Sequence, residues 1–308
     1  MASPLSISAL FRSSYYIRDS LIGTFFGDVS SIYPLIFILI AVAVLKNKKL
    51  NFIIPFICFA MIASHTVSVF FSAAALLIIL FYEAYKSGFS KDKLILFYSS
   101  LFVSIFSFVY FAFISRSLMS KWHSVETIIA ALPKSNMRID GSSLYHLINA
   151  EFFMSIAQHN LIVLEEIYYW LQILLCGIVL LSPLILFFVL FWIKTIKSEK
   201  DKILRCVFIA FALSPLLSIP VFFLFTDYGR WIFAVFSYQF LFVFYLLYSK
   251  ELSVETAGNS IAVFIKNHLF FCFIAVIYLL MLERTTLAFS FPIEINLKAF
   301  VLYFLSLF

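Results

Sequence analysis

Six residues between two long apolar runs, Thr226-Asp227-Tyr228-Gly229-Arg230-Trp231, bring together a carboxylate, a glycine and a guanidinium. Asp227 and Arg230 stand three apart, which on a helix sets them on one face. Facing one pocket, such a pair suits proton abstraction from a hydroxyl beside an anionic leaving group, or recognition of a phosphate. Gly229 lets a substrate approach the backbone closely. A structural role fits the same residues. Thr226 or Asp227 caps a helix start, where unpaired N–H groups and the dipole favour an acid. Tyr228 and Trp231 then belong to an interfacial aromatic belt, and Arg230 reaches toward lipid headgroups.

The other chemistry-bearing residues gather in the segment 115–166, which carries Arg116, Arg138 and His146 among many charges. Trp122, Val125, Ile129 and Leu132 recur at helical spacing there, as do Leu144, Leu147, Ile148, Phe152 and Ile156. A merely solvated loop has no need of two apolar stripes, so the segment is expected to fold over a cavity or back onto a bilayer. Glu165 and Glu166 fit the first turn of the next helix, where acids are favoured on dipole grounds alone. His65 stands apart at a polar turn, Ser64-His65-Thr66, and Glu283-Arg284 closes a later apolar run. His123, His146 and His159 lack the i, i+4 spacing of a helical metal site, so no metal is expected. Cys58, Cys176, Cys206 and Cys272 all lie in apolar runs without ligand spacing, and no cofactor motif is present.

These residues need elements to hold them, and composition says which. The 308-residue chain is 64% hydrophobic and only 12% charged, with 41 phenylalanines. Soluble domains carry about 25% charged residues, so the excess apolar surface must face lipid. The expected fold is all-α: a polytopic transmembrane helix bundle of about eight spans, forming one integral membrane domain over residues 1–308. Residues 1–30 mix aromatic and charged residues and read as an interfacial segment without a signal-peptide pattern. The apolar run Phe52–Tyr85 has basic residues at both ends. As one helix it would measure about 51 Å, far beyond a hydrocarbon core of about 30 Å. A hairpin turning at Ser64-His65-Thr66 is therefore expected. Later spans are expected near 94–114, 167–193, 204–225, 231–248 and 269–282. Residues 115–166 form an extracytoplasmic loop, residues 249–267 a cytoplasmic one, and the tail 297–308 lies in the interface.

Charge supports that arrangement. Segments assigned inside hold 13 of the 22 Lys and Arg but 6 of the 16 acids. The net charge of +6 is then positive-inside bias, and a nucleic-acid surface is excluded. The topology puts the N-terminus outside, so either that tail is translocated or an upstream span precedes it. Almost no ionisable residue falls at membrane depth, since Glu83 and Arg205 are near inner ends and can snorkel; this argues against a proton or ion path. Ser214-Pro215-Leu216-Leu217-Ser218-Ile219-Pro220 breaks the sixth span, as happens where membrane proteins build polar cavities.

The Phe/Ile/Leu-rich spans, the enlarged charged outer loop and the arginines at outer helix ends (Arg116, Arg138, Arg230, Arg284) resemble the Wzy-type O-antigen and capsule polymerases of bacterial surface-polysaccharide pathways. The Asp227-Tyr228-Gly229-Arg230-Trp231 turn looks like sequences in members of such loci. The resemblance implies a polyprenyl-diphosphate-linked glycan as substrate, at the outer leaflet of a bacterial plasma membrane. It implies that Arg230, with Arg284 and Arg138, stabilises the diphosphate leaving group, and that Asp227 or His146 deprotonates the acceptor hydroxyl. Arg116 and His65 are further substrate-binding candidates. A lipid or solute transporter or flippase subunit, gated at the span-six break, and a non-catalytic assembly protein remain as other readings.

Overall fold

The structure, a computed structural model, describes residues 29–64, 66–114, 177–224, 228–284, 293–295 and 305. The described part is almost wholly helical. In chain order it comprises α1 (Val29–Leu45), α2 (Ile54–Ser64), α3 (Ser72–Lys86), α4 (Lys91–Val109), α5 (Ser182–Ser198), α6 (Lys202–Leu213), α7 (Ile219–Leu224), α8 (Tyr228–Tyr248), α9 (Leu252–Asn267) and α10 (Leu269–Leu280). Short 3-10 turns at Asn51–Ile53, Thr66–Phe70 and Ser214–Ser218 precede α2, α3 and α7. One small antiparallel ribbon, β1 (Leu282–Arg284) with β2 (Ile293–Ile295), follows α10.

Among the described residues three helices are long and apolar enough to cross a membrane, Thr66–Lys86, Lys91–Ile114 and Lys202–Phe222. A fourth span results if α9 and α10 count as one, but they meet at a 100° bend. Shorter apolar helices cover Leu35–Leu45, Asn51–Ser64 and Ala234–Tyr248. The chain is thus a helical membrane protein.

The run 52–85 is folded in two. Ring contacts Phe81–Phe97 (5.7 Å) and Phe70–Phe108 (5.5 Å) set α3 antiparallel to α4. Phe59 meets Phe111 just beyond α4 at 5.6 Å, and Cys58 sits beside Ser100 and Ser104, so α2 lies along the same helix. Ser100, Ser104 and Ser107 are fully buried at helical spacing on α4. Small side chains there let two backbones approach closely without a hydrophobic driving force. Gly88, at φ +66°, closes α3, and the Gly88 and Phe89 amides donate to the carbonyls of Tyr85 and Ala84 at 2.9 and 2.8 Å.

The central helix is α3: 61% of its apolar window is buried, against 22% for Lys91–Ile114 and 28% for Lys202–Phe222. Around it α5, α6 and α8 interlock through aromatics. Phe211 and Phe242 approach to 4.6 Å, Phe188 and Phe240 to 4.8 Å, and Trp192 stacks on Phe211. At the other extreme, α10 has no buried residue, and Phe270, Phe271 and Phe273 are largely exposed.

Two expectations change. The stretch 249–267, expected as a connecting loop, is mostly the helix α9. Its Val254 and Ala257 are buried, and Ser198 of α5 donates to the Ser253 carbonyl at 3.3 Å. The polar residues that suggested a loop form the far face of an amphipathic helix, where Glu255, Thr256 and Asn259 are exposed. The last span, expected over about 269–282, ends as a helix at Leu280, because Leu282–Arg284 extend and pair with β2. The segments 1–28 and 115–176, and the tail from 297 apart from Leu305, lie outside the described residues.

Candidate functional site

The expected site residues divide by what the structure describes. Asp227, His146, Arg138, Arg116 and His65 lie outside the described residues. Arg230 falls in the first turn of α8, and Arg284 ends β1. A small core relates these two positions. Leu181 and Leu282, both buried, pack with Leu180, Ile185, Ile232, Phe236, Tyr278 and Leu279. Arg230 stands two residues before Ile232, and Arg284 two after Leu282, so the chain brings both to one end of the bundle. From Arg230 the helix α8 runs about 22 Å to Tyr245, at 1.5 Å per residue.

Trp231, expected in an interfacial belt, is instead buried and stacked on Phe71, with ring centroids 5.6 Å apart and planes 14° apart. Its indole joins α8 to the turn before α3, so this helix start is anchored into the bundle.

The broken span has a local cause and a local remedy. Pro215 has no N–H, so the carbonyl of Phe211 four residues back loses its α-helical donor and accepts instead from the Ser214 amide. Gln239 of α8 adds a second donor: its Nε2 gives hydrogen bonds to that carbonyl at 3.0 Å and to Ser214 Oγ at 2.9 Å. Its Oε1 accepts from Trp192 Nε1 at 2.7 Å. One buried amide therefore satisfies α5, α6 and the break. Next to it Ser72 and Tyr238 share a buried hydrogen bond between α3 and α8. Pro215, Ser214, Ser218 and Tyr238, with Phe70 and Phe71, line a partly open pocket of about 10 Å³. That is room for about one water.

At the far end of α8 lies a polar lattice. The Tyr82 hydroxyl donates to Glu251, and Lys86 Nζ meets the same carboxylate at 2.8 Å. Tyr245 donates to Glu83, which also faces Lys93 at 3.6 Å. Tyr85 donates to Asp201, and Ser253 donates to Glu199 at 2.7 Å. Lys46 stands over the rings of Tyr245 and Tyr248, 5.2 and 4.8 Å from their centroids. Lys250 adopts φ +54°, a left-handed turn that costs a non-glycine residue energy, and the buried Glu251 beside it holds that corner to α3. The basic turns 46–50, 86–93, 199–202 and 249–253 therefore share one end.

Asp201 also caps α6, accepting from the amides of Ile203 at 2.8 Å and Leu204 at 3.2 Å. The Tyr85 hydroxyl first, then those amides and the nearby Lys86, hold its carboxyl below the ordinary carboxylate range. Glu83 and Arg205, expected to snorkel, are both engaged inside the protein. Arg205 donates to the Glu199 carbonyl, with Nε at 3.1 Å and Nη2 at 2.5 Å.

Sequence reasoning missed this lattice because each tyrosine taken singly fits an aromatic belt. The available signal was the spacing: Tyr82 with Tyr85 and Tyr245 with Tyr248 recur at i, i+3 beside Glu83 and Glu251. No group of three or more His, Cys, Asp or Glu among the described residues is placed to hold a metal ion. Comparison of the chain with protein-family models, with curated proteins and with solved structures finds no match.

Proposed function

We propose that this protein is a membrane-embedded enzyme of surface-glycan assembly, transferring or polymerising a polyprenyl-diphosphate-linked saccharide at the outer leaflet of a bacterial plasma membrane. The supporting observation is the small core of Leu181 and Leu282, which brings the chain positions of Arg230 and Arg284 to one end, away from the lysine-rich end. Two guanidiniums there suit a diphosphate, which takes bidentate donors. The acceptor hydroxyl attacks the anomeric carbon of the donor sugar as the bond to the diphosphate oxygen breaks. The electron pair leaves with the diphosphate, whose charge Arg230 and Arg284 stabilise together with Arg138. Asp227 or His146 takes the hydroxyl proton. Arg116 and His65 hold the saccharide, and about eight spans keep both lipid tails in the bilayer.

A transporter would use the break at Ser214–Ser218 as its gate. Gln239 bonds the Phe211 carbonyl and Ser214 together, which suits a fixed joint and favours the enzyme. Orientation is tested by cysteines placed at Ser64, Ser142 and Ser198. The first two react with an impermeant thiol reagent from outside and the third does not; outside labelling of position 198 reverses the topology. The activity is tested in a host that needs the protein for long-chain glycan. Arg230→Ala and Asp227→Asn shorten the glycan at unchanged protein level, and normal glycan length in both sinks the proposal.

A further inference from the structure

At the lysine-rich end the lattice acids are engaged by hydroxyl groups of the protein, and most of the surrounding lysines stand exposed. Glu83, Asp201, Glu251 and Glu199 accept from Tyr245, Tyr85, Tyr82 and Ser253. These hydroxyls are neutral donors, so each helps satisfy a carboxylate without consuming a cation. Among the described residues only Lys86 and Lys93 form lysine–carboxylate ion pairs. Lys46, Lys48 and Lys49 after α1, Lys200 and Lys202 before α6, and Lys250 after α8 are all exposed on neighbouring turns. Exposed apolar side chains alternate with them, Phe52 at 67%, Ile203 at 49%, Tyr248 at 71% and Leu252 at 76%.

We infer that this rim is a binding surface selective for anionic phospholipid headgroups, seating the lysine-rich end on one leaflet. A soluble polyanion would neutralise the lysines but leave Phe52, Tyr248 and Leu252 in water. An amphiphile with a phosphate head and acyl chains satisfies both sets at once. The tyrosines make the selectivity possible, because acids released from them would compete with lipid phosphate for the same lysines. Lys46, poised over two tyrosine rings, keeps its charge outward without an acid partner.

The full chain in mixed vesicles of phosphatidylcholine and phosphatidylglycerol, with spin-labelled lipids, measures the association of each lipid with the protein. At low salt phosphatidylglycerol is preferred by about fivefold, as a surface lysine contributes about that factor. High salt brings the preference to about one and the triple variant Lys48→Gln/Lys49→Gln/Lys250→Gln lowers it, while the corresponding arginine variant keeps it. Tyr82→Phe/Tyr245→Phe, which keeps the rings but removes the hydroxyl donor from both carboxylates, lowers it as well. Equal association of the two lipids with the natural chain overturns the inference, as does a preference unchanged in the glutamine variant. Displacement of phosphatidylglycerol by excess inorganic phosphate overturns the commitment to a lipid. None of these outcomes depends on the chemistry assigned to the arginine end.

Discussion

The two ends of the bundle are joined by different forces. At the lysine-rich end, hydroxyls of Tyr82, Tyr85 and Tyr245 donate to carboxylates from other helices, tying α3, α6, α8 and the start of α9 into one lattice. At the arginine end the described contacts around β1 are apolar, with Leu282 fully buried against a handful of neighbours. Hydrogen bonds to ionised acceptors are directional and lock several helices in register. Packing around one leucine fixes position but resists reorganisation less. Functional segments are drawn from the less stable parts of a fold, and the proposed site sits at the end with the lighter fastening.

Substitutions at the two ends should therefore behave differently. Leu282→Ala empties the centre of the small core and should cost about 3 kcal/mol, since its neighbours can only partly collapse. Thermal unfolding in nanodiscs measures the loss. Hydrogen exchange should show it confined to β1, α10 and the start of α5, with the lattice unchanged. Between the ends, Gln239→Leu orphans the Trp192 N–H and removes one of the two donors to the Phe211 carbonyl, for a loss of about 2 kcal/mol in the same unfolding measurement. Tyr82→Phe removes one donor from Glu251 while Lys86 remains, a cost of about 1.5 kcal/mol, and its exchange signature should spread across α3, α8 and α9.

The smallest effect is one of pH. Asp201 is held below its ordinary range by Tyr85 and the α6 amides, so its contribution is fully present above the ordinary carboxylate range. It is lost as pH falls through the lowered native value. Asp201→Asn still caps the helix. The variant should melt slightly below the natural chain at neutral pH, and the gap should close on acidification. A gap constant with pH would mean that Tyr85 and Lys86 do not sense the charge.

Several features were legible from residue types alone. The folded-back run 52–85 followed from its length against bilayer thickness, and the break at Pro215 from the missing amide. Hydropathy could not rank the helices by burial, because Thr66–Lys86 and Lys91–Ile114 have the same mean hydropathy although the first is far more buried; only their neighbours differ. It missed α9 because a helix with one polar face reads as a loop when few of its residues are apolar. The lattice escaped because each of its tyrosine–carboxylate bonds joins residues more than a hundred positions apart, as in Tyr82 with Glu251 and Tyr85 with Asp201. Of the site, the sequence located Arg230 and Arg284 separately. Their shared end depends on Leu282, an unremarkable leucine until it is seen packed with Ile232.

The most direct test of the proposed activity is single-turnover transfer by the purified chain in sealed proteoliposomes, using a short polyprenyl-diphosphate-linked saccharide. Arg230→Ala and Arg284→Ala should each slow formation of the longer lipid-linked product by about a hundredfold, the scale for losing one donor to a developing anion. Lys200→Ala, at the opposite end, should leave the rate unchanged. Undiminished product formation in both arginine variants, or translocation of unaltered saccharide with no longer product from the natural chain, would contradict the account.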